Sequence, residues 1–329
     1  MRFEQPLGIC GVGTVMPDGE PQPSASLTGQ EWPVRRVAAT QPGLLRWQNE
    51  PRLRRTSRLP VFLLAAAHQA LAAAGGVDRA TLGIVAAYHA GSLTMTRKFF
   101  QGVIEAGQRF ASPNFFPETV FNSPTNHLAA LLGAAGPAYS VVGDDSAWIT
   151  ALNIAATWLA NGLVEHALVV TGEEFDPMEL DAYVTVRWLR RGGAFIPAEG
   201  AGAVVLRWAR PVDQVQLVAV AEGFTHRSKA QARVAAEKLV AQFPGIRDVW
   251  RTGAGSLWAG LEADLHARHG FIAPPGGADC SGAFVASAAW HTVEAIAWVR
   301  ATGRELLVPV WGHSQQCSAL LLAGSSRKQ

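Results

Sequence analysis

Pro137-Ala138-Tyr139-Ser140-Val141-Val142-Gly143-Asp144-Asp145-Ser146-Ala147-Trp148 decides how the rest of this chain is read. Ala138 to Val142 has the make-up of a short strand, and it runs straight into Gly143-Asp144-Asp145-Ser146. From Ala147 to Asn161 the chain is apolar and helical in pattern, closed by Gly162. A strand that turns abruptly into a helix presents one side chain at the helix N-terminus. Unpaired backbone N–H groups and the helix dipole favour negative charge there. A cysteine at such a place is acidified to a thiolate, the form that attacks acyl thioesters. This chain has two carboxylates and a serine there instead.

Outward from the turn, strand and helix patterns alternate. Leu7 to Val15, punctuated by Gly8, Gly11 and Gly13, reads as a buried strand ending in a Pro17-Asp18-Gly19 turn. Pro21 to Pro51 is polar, without sustained periodicity, and reads as a mobile surface excursion. After Ser57, a candidate N-cap, apolar residues recur at helical spacing from Leu59 to Leu71, and Gly75-Gly76 supplies the stop. Leu82 to Tyr88 and His166 to Thr171 are further strands, and Thr96 to Phe110 and Pro124 to Leu132 further helices. Gly202 to Trp208, Val215 to Ala221, Leu306 to Val310 and Ala319 to Ala323 complete the expected strands. This alternation predicts an α/β protein with a mainly parallel, covered sheet. Two halves, residues 1–210 and 211–329, divide it near Arg210-Pro211.

Bulk properties narrow the class. With 329 residues, 49% apolar and 16% charged, the chain can bury a large core. Three scattered cysteines, Cys10, Cys280 and Cys317, give neither a disulfide framework nor a zinc spacing, which fits a reducing cytoplasm. No signal peptide or membrane-length apolar run is evident. A net charge of +2 gives no reason to expect a nucleic-acid partner.

The resemblance is carried by several segments. Pro137 to Val141 with its sharp turn, Leu7 to Val15, Arg54 to Gly75, Gly193 to Gly202 and Val293 to Ile296 together resemble β-ketoacyl-acyl carrier protein synthases of the thiolase superfamily. That implies a five-layered αβαβα fold built of two similar halves, with no cofactor or metal. Carried over residue by residue, the nucleophilic cysteine falls on Asp145. The first catalytic histidine falls on Thr252, ahead of Gly253-Ala254-Gly255-Ser256. The second falls near Val285, in Ser281 to Ala289, which holds no histidine. Condensation needs a thiolate and two imidazoles, so ordinary ketosynthase activity is not expected.

Remaining candidates are Ser146, His291 and His313 for residual chemistry, and Trp148, Phe116 and Phe121 for shaping an acyl tunnel. Asp144 or Asp145 equally suits a helix cap, contributing about 1 kcal/mol. His127 reads as a packed core residue. His266 and His269, with Glu262 nearby, have a spacing that suits a metal but a composition that suits a solvated helix face. Arg54, Arg55, Arg58, Arg190 and Arg191 are candidates for docking an acidic acyl carrier protein. The resemblance implies a chain-length-factor-like subunit that forms a heterodimer with an active ketosynthase. Two other readings stay open. One is an acyl-thioester enzyme (decarboxylase, hydrolase or acyltransferase) using Asp145 with His291 or His313. The other is a non-catalytic homodimer that binds acyl carrier protein or acyl chains.

Overall fold

The computed structural model describes residues 2–191, 193, 195–253, 258–276, 281–314 and 316–325. Its strands are β1 (Arg2–Val15), β2 (Gln22–Ala25), β3 (Glu31–Val34), β4 (Leu82–Tyr88), β5 (Ala138–Val142), β6 (His166–Glu173), β7 (Gly200–Trp208), β8 (Val215–Thr225), β9 (Leu306–Gly312) and β10 (Gln316–Gly324). The helices are α1 (Pro42–Gln48), α2 (Leu59–Ala74), α3 (Leu93–Ala106), α4 (Ser123–Leu132), α5 (Ala147–Ala160), α6 (Pro177–Thr185), α7 (Lys229–Val240), α8 (Ala259–His269) and α9 (Val285–Thr302). Among the described residues no helix is long and apolar enough to cross a membrane.

The glycines of β1 have a packing cause. A Cβ at Gly11 would overlap the Ala70 carbonyl, and one at Gly13 the Ala66 carbonyl, so bare backbone lets β1 lie directly on α2. Alanines 66, 67 and 70 supply the matching small face of that helix, all without exposed surface.

Eight strands form one sheet in the order β5-β4-β6-β7-β1-β8-β10-β9. Only β4–β5 and β4–β6 run parallel, and the other named pairs are antiparallel. The expected mainly parallel sheet is therefore corrected to a mixed one. Alternation of helices and strands counts crossovers, but β9 returns as β10 through a turn, which forces an antiparallel pair.

The strand order holds a repeat. Within the first half the third, second, fourth, fifth and first strands in chain order lie side by side. After Pro211 the same order recurs, with a parallel bridge from Ile272 to Asp248 and another from Val249 to Leu307, followed by β9, β10 and β8. Strands two and three of the second half are reduced to those bridges.

Five layers follow. Helix α2 covers the outer face of β1, β6 and β7, and α7 covers β8 and β10. Helices α5 and α9 lie between the halves and touch strands of both. The central apolar cluster accordingly mixes Val85, Trp148, Val204, Val308 and Leu320. Two departures from expectation concern the N-terminal half. Residues 21–51 contain the β2–β3 hairpin and α1 rather than a loose excursion, pinned where Leu27 N and Thr28 Oγ1 donate to Asp181, with Trp32, Leu44 and Trp47 buried. Arg58, not Ser57, stands at the cap of α2.

Candidate functional site

Strand β5 ends at Val142, and Gly143 N donates to Tyr88 O (2.9 Å), turning the chain towards α5. Asp144 then satisfies three donors: Ser146 N (3.0 Å), Ser314 N (2.9 Å) and Gln316 Nε2 (2.6 Å). It fits because Gly312 carries no side chain; a Cβ there would occupy the Asp144 carboxylate. Burial, and then the neighbouring Asp145, raise the Asp144 pKa.

Asp145 Oδ2 accepts from His313 Nδ1 (2.8 Å) and from His313 N (3.3 Å). Burial alone pushes the His313 pKa down, but the Asp145 carboxylate, by charge and hydrogen bond, carries it above its usual value. Both elbow carboxylates are thus spent on the turn between β9 and β10. His291, on the first turns of α9, accepts from Trp250 Nε1 at Nδ1 (3.4 Å), and burial drives its pKa to about 4. Thr252 is held by Glu262, a buried carboxylate on α8 that accepts from Thr252 N (2.8 Å), Gly253 N (2.7 Å) and Trp311 Nε1 (3.0 Å). Asp145, Thr252, Ser287, His291, Trp311 and His313 enclose a cavity of about 20 Å³. That is room for one water and no acyl group.

One contributor escaped sequence reading. His89, just past β4, places Nδ1 3.2 Å from Gly143 O and stacks on Phe284 (centroids 4.1 Å apart). Burial lowers its pKa, opposed by Asp145. Phe284 itself takes a φ of 45°, a costly conformation for a non-glycine residue, and meets the His313 ring edge-on. Tyr183, Trp188 and Phe195 complete an aromatic wall around it. The signal for His89 was positional: it follows the strand adjacent to β5 and therefore emerges at the same sheet end as the elbow.

Other expectations sort cleanly. Thr252, His291 and His313 line the same cavity as Asp145. Val285 is buried at the start of α9, two residues before the cavity-lining Ser287. Ser146 is buried, with no protein partner for Oγ among the described residues. Trp148 is fully buried and donates to Thr292 Oγ1 (2.9 Å), bridging α5 to α9. Phe116 and Phe121 lie at the surface instead, 58% and 47% exposed. Arg54, Arg55, Arg190 and Arg191 are exposed, whereas Arg58 is tied to Glu199 (2.7 Å) and the Val37 carbonyl.

His127 is packed and bonded to Glu118 (3.0 Å). The spacing that suggested a metal comes apart, because Glu262 faces inward and His269 pairs with Glu237 (2.7 Å). No group of three metal-ligating side chains exists among the described residues. Cys317 lies in the outer core of the second half near Phe224 O, its pKa pushed by burial to about 12. Cys280, Ala194 and Ala254 to Ser256 lie outside the described residues.

Residues 36–210 match the family model for the N-terminal domain of β-ketoacyl synthases, and the chain belongs to that family. Its fold is the thiolase-like fold of ketosynthases. Among solved structures, "The ishigamide ketosynthase/chain length factor" is similar with a TM-score of 0.78 and 19% identity, over 97% of this chain and 99% of that one. A ketosynthase (ApeO) in complex with its chain length factor (ApeC) from Xenorhabdus doucetiae gives 0.75 and 14%, over 98% of each chain. A type II polyketide acyl-carrier protein complexed with its ketosynthase, AntDE:AntF, gives 0.77 and 15%, over 98% of this chain and 99% of that one. No curated protein matches the sequence.

Proposed function

We propose that this chain is a catalytically degenerate ketosynthase-like subunit, acting as a chain-length factor beside an active ketosynthase. The setting is type II polyketide, aryl polyene or fatty-acid-like biosynthesis in the cytoplasm. One observation carries the reading: where the family needs a thiolate, Asp144 and Asp145 are both consumed by hydrogen bonds to the β9–β10 turn. The space beyond them is about 20 Å³. Among the described residues the cavity at Asp145 has no room for an acyl group, which supports assigning carbon–carbon bond formation to a partner.

The outer surface supports pairing. Strand β5 is the sheet edge, with Tyr139 and Val142 exposed, and unpaired strand edges invite another chain. Nearby segments add Phe100, Ile104, Phe110 and Phe116, all more than half exposed. Similar structures are titled as ketosynthase–chain length factor assemblies, which favours such a partner. In the pair, Phe116 and Phe121 become wall residues of the partner's product tunnel, and Trp148 closes this subunit's own interior. Arg54, Arg55, Arg190 and Arg191 offer an acidic acyl carrier protein its contacts, while Arg58 is reassigned to holding Glu199. The chain is taken to divide into 1–210 and 211–329, consistent with the repeated strand order.

Co-expression with a candidate ketosynthase tests this. A heterodimer that co-purifies and makes product of defined length is expected; a stable homodimer that condenses without it would sink the reading.

A further inference from the structure

The surface segment that carries Phe116 and Phe121 is held by polar bonds and not by a core. Phe116–Thr119 is a single 3₁₀ turn with no buried residue, and Phe116, Val120 and Phe121 are 58%, 42% and 47% exposed. A turn this short does not hold itself. The Glu118 carboxylate, which lies between the two aromatic residues in sequence, turns inward to α4. It accepts from Ser123 Oγ (2.6 Å) and from His127 Nε2, which lies 3.0 Å from each of its oxygens. A carboxylate only accepts, so the His127 proton sits on Nε2. The Glu118 and His127 side chains are 15% and 11% exposed, which limits competition from water.

The backbone of the turn is fixed from the opposite side. Ser92 Oγ donates to the Val120 carbonyl (3.3 Å), and Thr96 Oγ1 on α3 shares its proton between the Ser92 (3.0 Å) and Thr119 (3.2 Å) carbonyls. Phe121 packs on Gly91, where φ is 56° and a Cβ would meet the ring at 2.6 Å. Phe116 rests on Phe99 of α3, with ring centroids 5.7 Å apart. Helix α4 also reaches the open sheet edge, because Thr125 Oγ1 bonds Tyr88 Oη on β4 (2.8 Å) and Ser140 Oγ on β5 (2.6 Å). The aromatic wall and the β5 edge are thus tied to one helix. Exposed side chains already held in place bind with less loss of freedom.

We propose that the Glu118–Ser123–His127 cluster is a positioning device. It holds Phe116, Val120 and Phe121 in one preformed arrangement that an active ketosynthase takes up on pairing, and Glu118 thereby sets the length of the product made by the pair. This rests on the chain-length-factor reading above. Glu118 touches no substrate and acts through the rings on either side of it. Without its carboxylate, Ser123 and His127 lose their acceptor, and the wall meets the partner in many arrangements instead of one.

Hydrogen exchange on the isolated chain, read by mass spectrometry, reports on the clamp, and the pair with an active ketosynthase reports on its use. Glu118→Ala is expected to speed exchange across residues 110–123 by about tenfold, with α2 and β6 at wild-type speed. Its pair should assemble about 30-fold more weakly and yield a spread of product lengths where the wild type yields one. Glu118→Gln, which keeps an acceptor oxygen, should bring both readouts back to within about threefold of wild type. Ser123→Ala removes a single bond, should speed exchange by about threefold, and decides the matter if Glu118→Ala does not fold. Wild-type exchange in these alanine variants overturns the clamp, and fast exchange with unchanged product length overturns its control of the product. If the wild-type chain pairs with no ketosynthase, the chain-length-factor reading falls and the control of product length with it, while the exchange result stands.

Discussion

Within the seven residues from Tyr139 to Asp145 the chain passes from an exposed sheet edge to a buried turn. Tyr139 and Val142 on the β5 edge are 55% and 47% exposed, whereas Asp145, three residues beyond Val142, is 6% exposed and bonded through Oδ2 to His313 in the second half of the chain. Both places belong to one strand-turn-helix unit. The edge still presents backbone and apolar side chains to a neighbour, while the interior has been filled with paired charges and indoles. This distribution favours the proposed role at a partner's surface.

Centre and edge should respond oppositely to substitution. Trp148→Ala is expected to cost about 4 kcal/mol by chemical denaturation, since it empties the packed boundary of α5 and α9 and removes the donor to Thr292 Oγ1. In the heterodimer it should lengthen the product; unchanged product length would remove Trp148 from the boundary set by the pair. Asp145→Ala comes next, at about 3 kcal/mol, because His313 is left buried and unpaired. Replacing Asp145 and His313 together by leucine should cost less than Asp145→Ala alone, and a larger cost would show that the pair stabilises the fold by itself.

Val142→Asp puts a charge on the open edge. It should weaken pairing with a ketosynthase by about 100-fold, or roughly 2.7 kcal/mol, with the isolated chain's unfolding within about 0.5 kcal/mol of wild type. Equal damage to both would erase the contrast between edge and centre.

Smaller still is the effect of pH. Burial raises Glu174 and Glu179 to about 7, so the folded state holds their protons more tightly than the unfolded chain and loses that advantage as pH climbs towards 7. His313, raised above 6.5, contributes stability that is complete below 6.5 and lost as pH rises through its folded value. His291 and His89, both lowered, oppose this fall only until the unfolded imidazole has lost its proton, about one pH unit above 6.5. The melting temperature should therefore fall by on the order of 5 °C between about pH 6.5 and 8, and by less in Asp145→Asn. The faintest expected effect belongs to the arginines: Arg54→Glu with Arg55→Glu should weaken acyl carrier protein binding by about threefold, an effect erased by salt.

Much of this was legible in the sequence because the elements are strongly patterned. The strand before the elbow and the α5 helix fall within a residue of their expected bounds, and the candidates Asp145, Thr252, His291 and His313 line one cavity. What escaped depends on long-range geometry. His89 is a lone histidine until β4 is laid beside β5. Asp144 looked interchangeable with Asp145 as a cap, yet Gly312, 168 residues away, decides that Asp144 bonds Ser146 N while Asp145 reaches His313. Glu173, Glu174, Asp176 and Glu179 carry no pattern in the sequence, but all are buried around the start of α6, where Asp176 and Glu179 form a reciprocal cap. Parallel against antiparallel pairing was also invisible, since periodicity records which face is buried and not which way the next strand runs.

The missing side chain of Gly312 has a consequence for reversibility. With that space given to the Asp144 carboxylate, the β9–β10 turn is latched onto the elbow by Ser314 and Gln316 as well as His313. A cysteine placed at 145 would stand behind a closed latch, without an imidazole at 252 or 285 and with no room for an acyl group. On the proposed reading, condensing chemistry is several coordinated substitutions away, and a single exchange at 145 does not restore it.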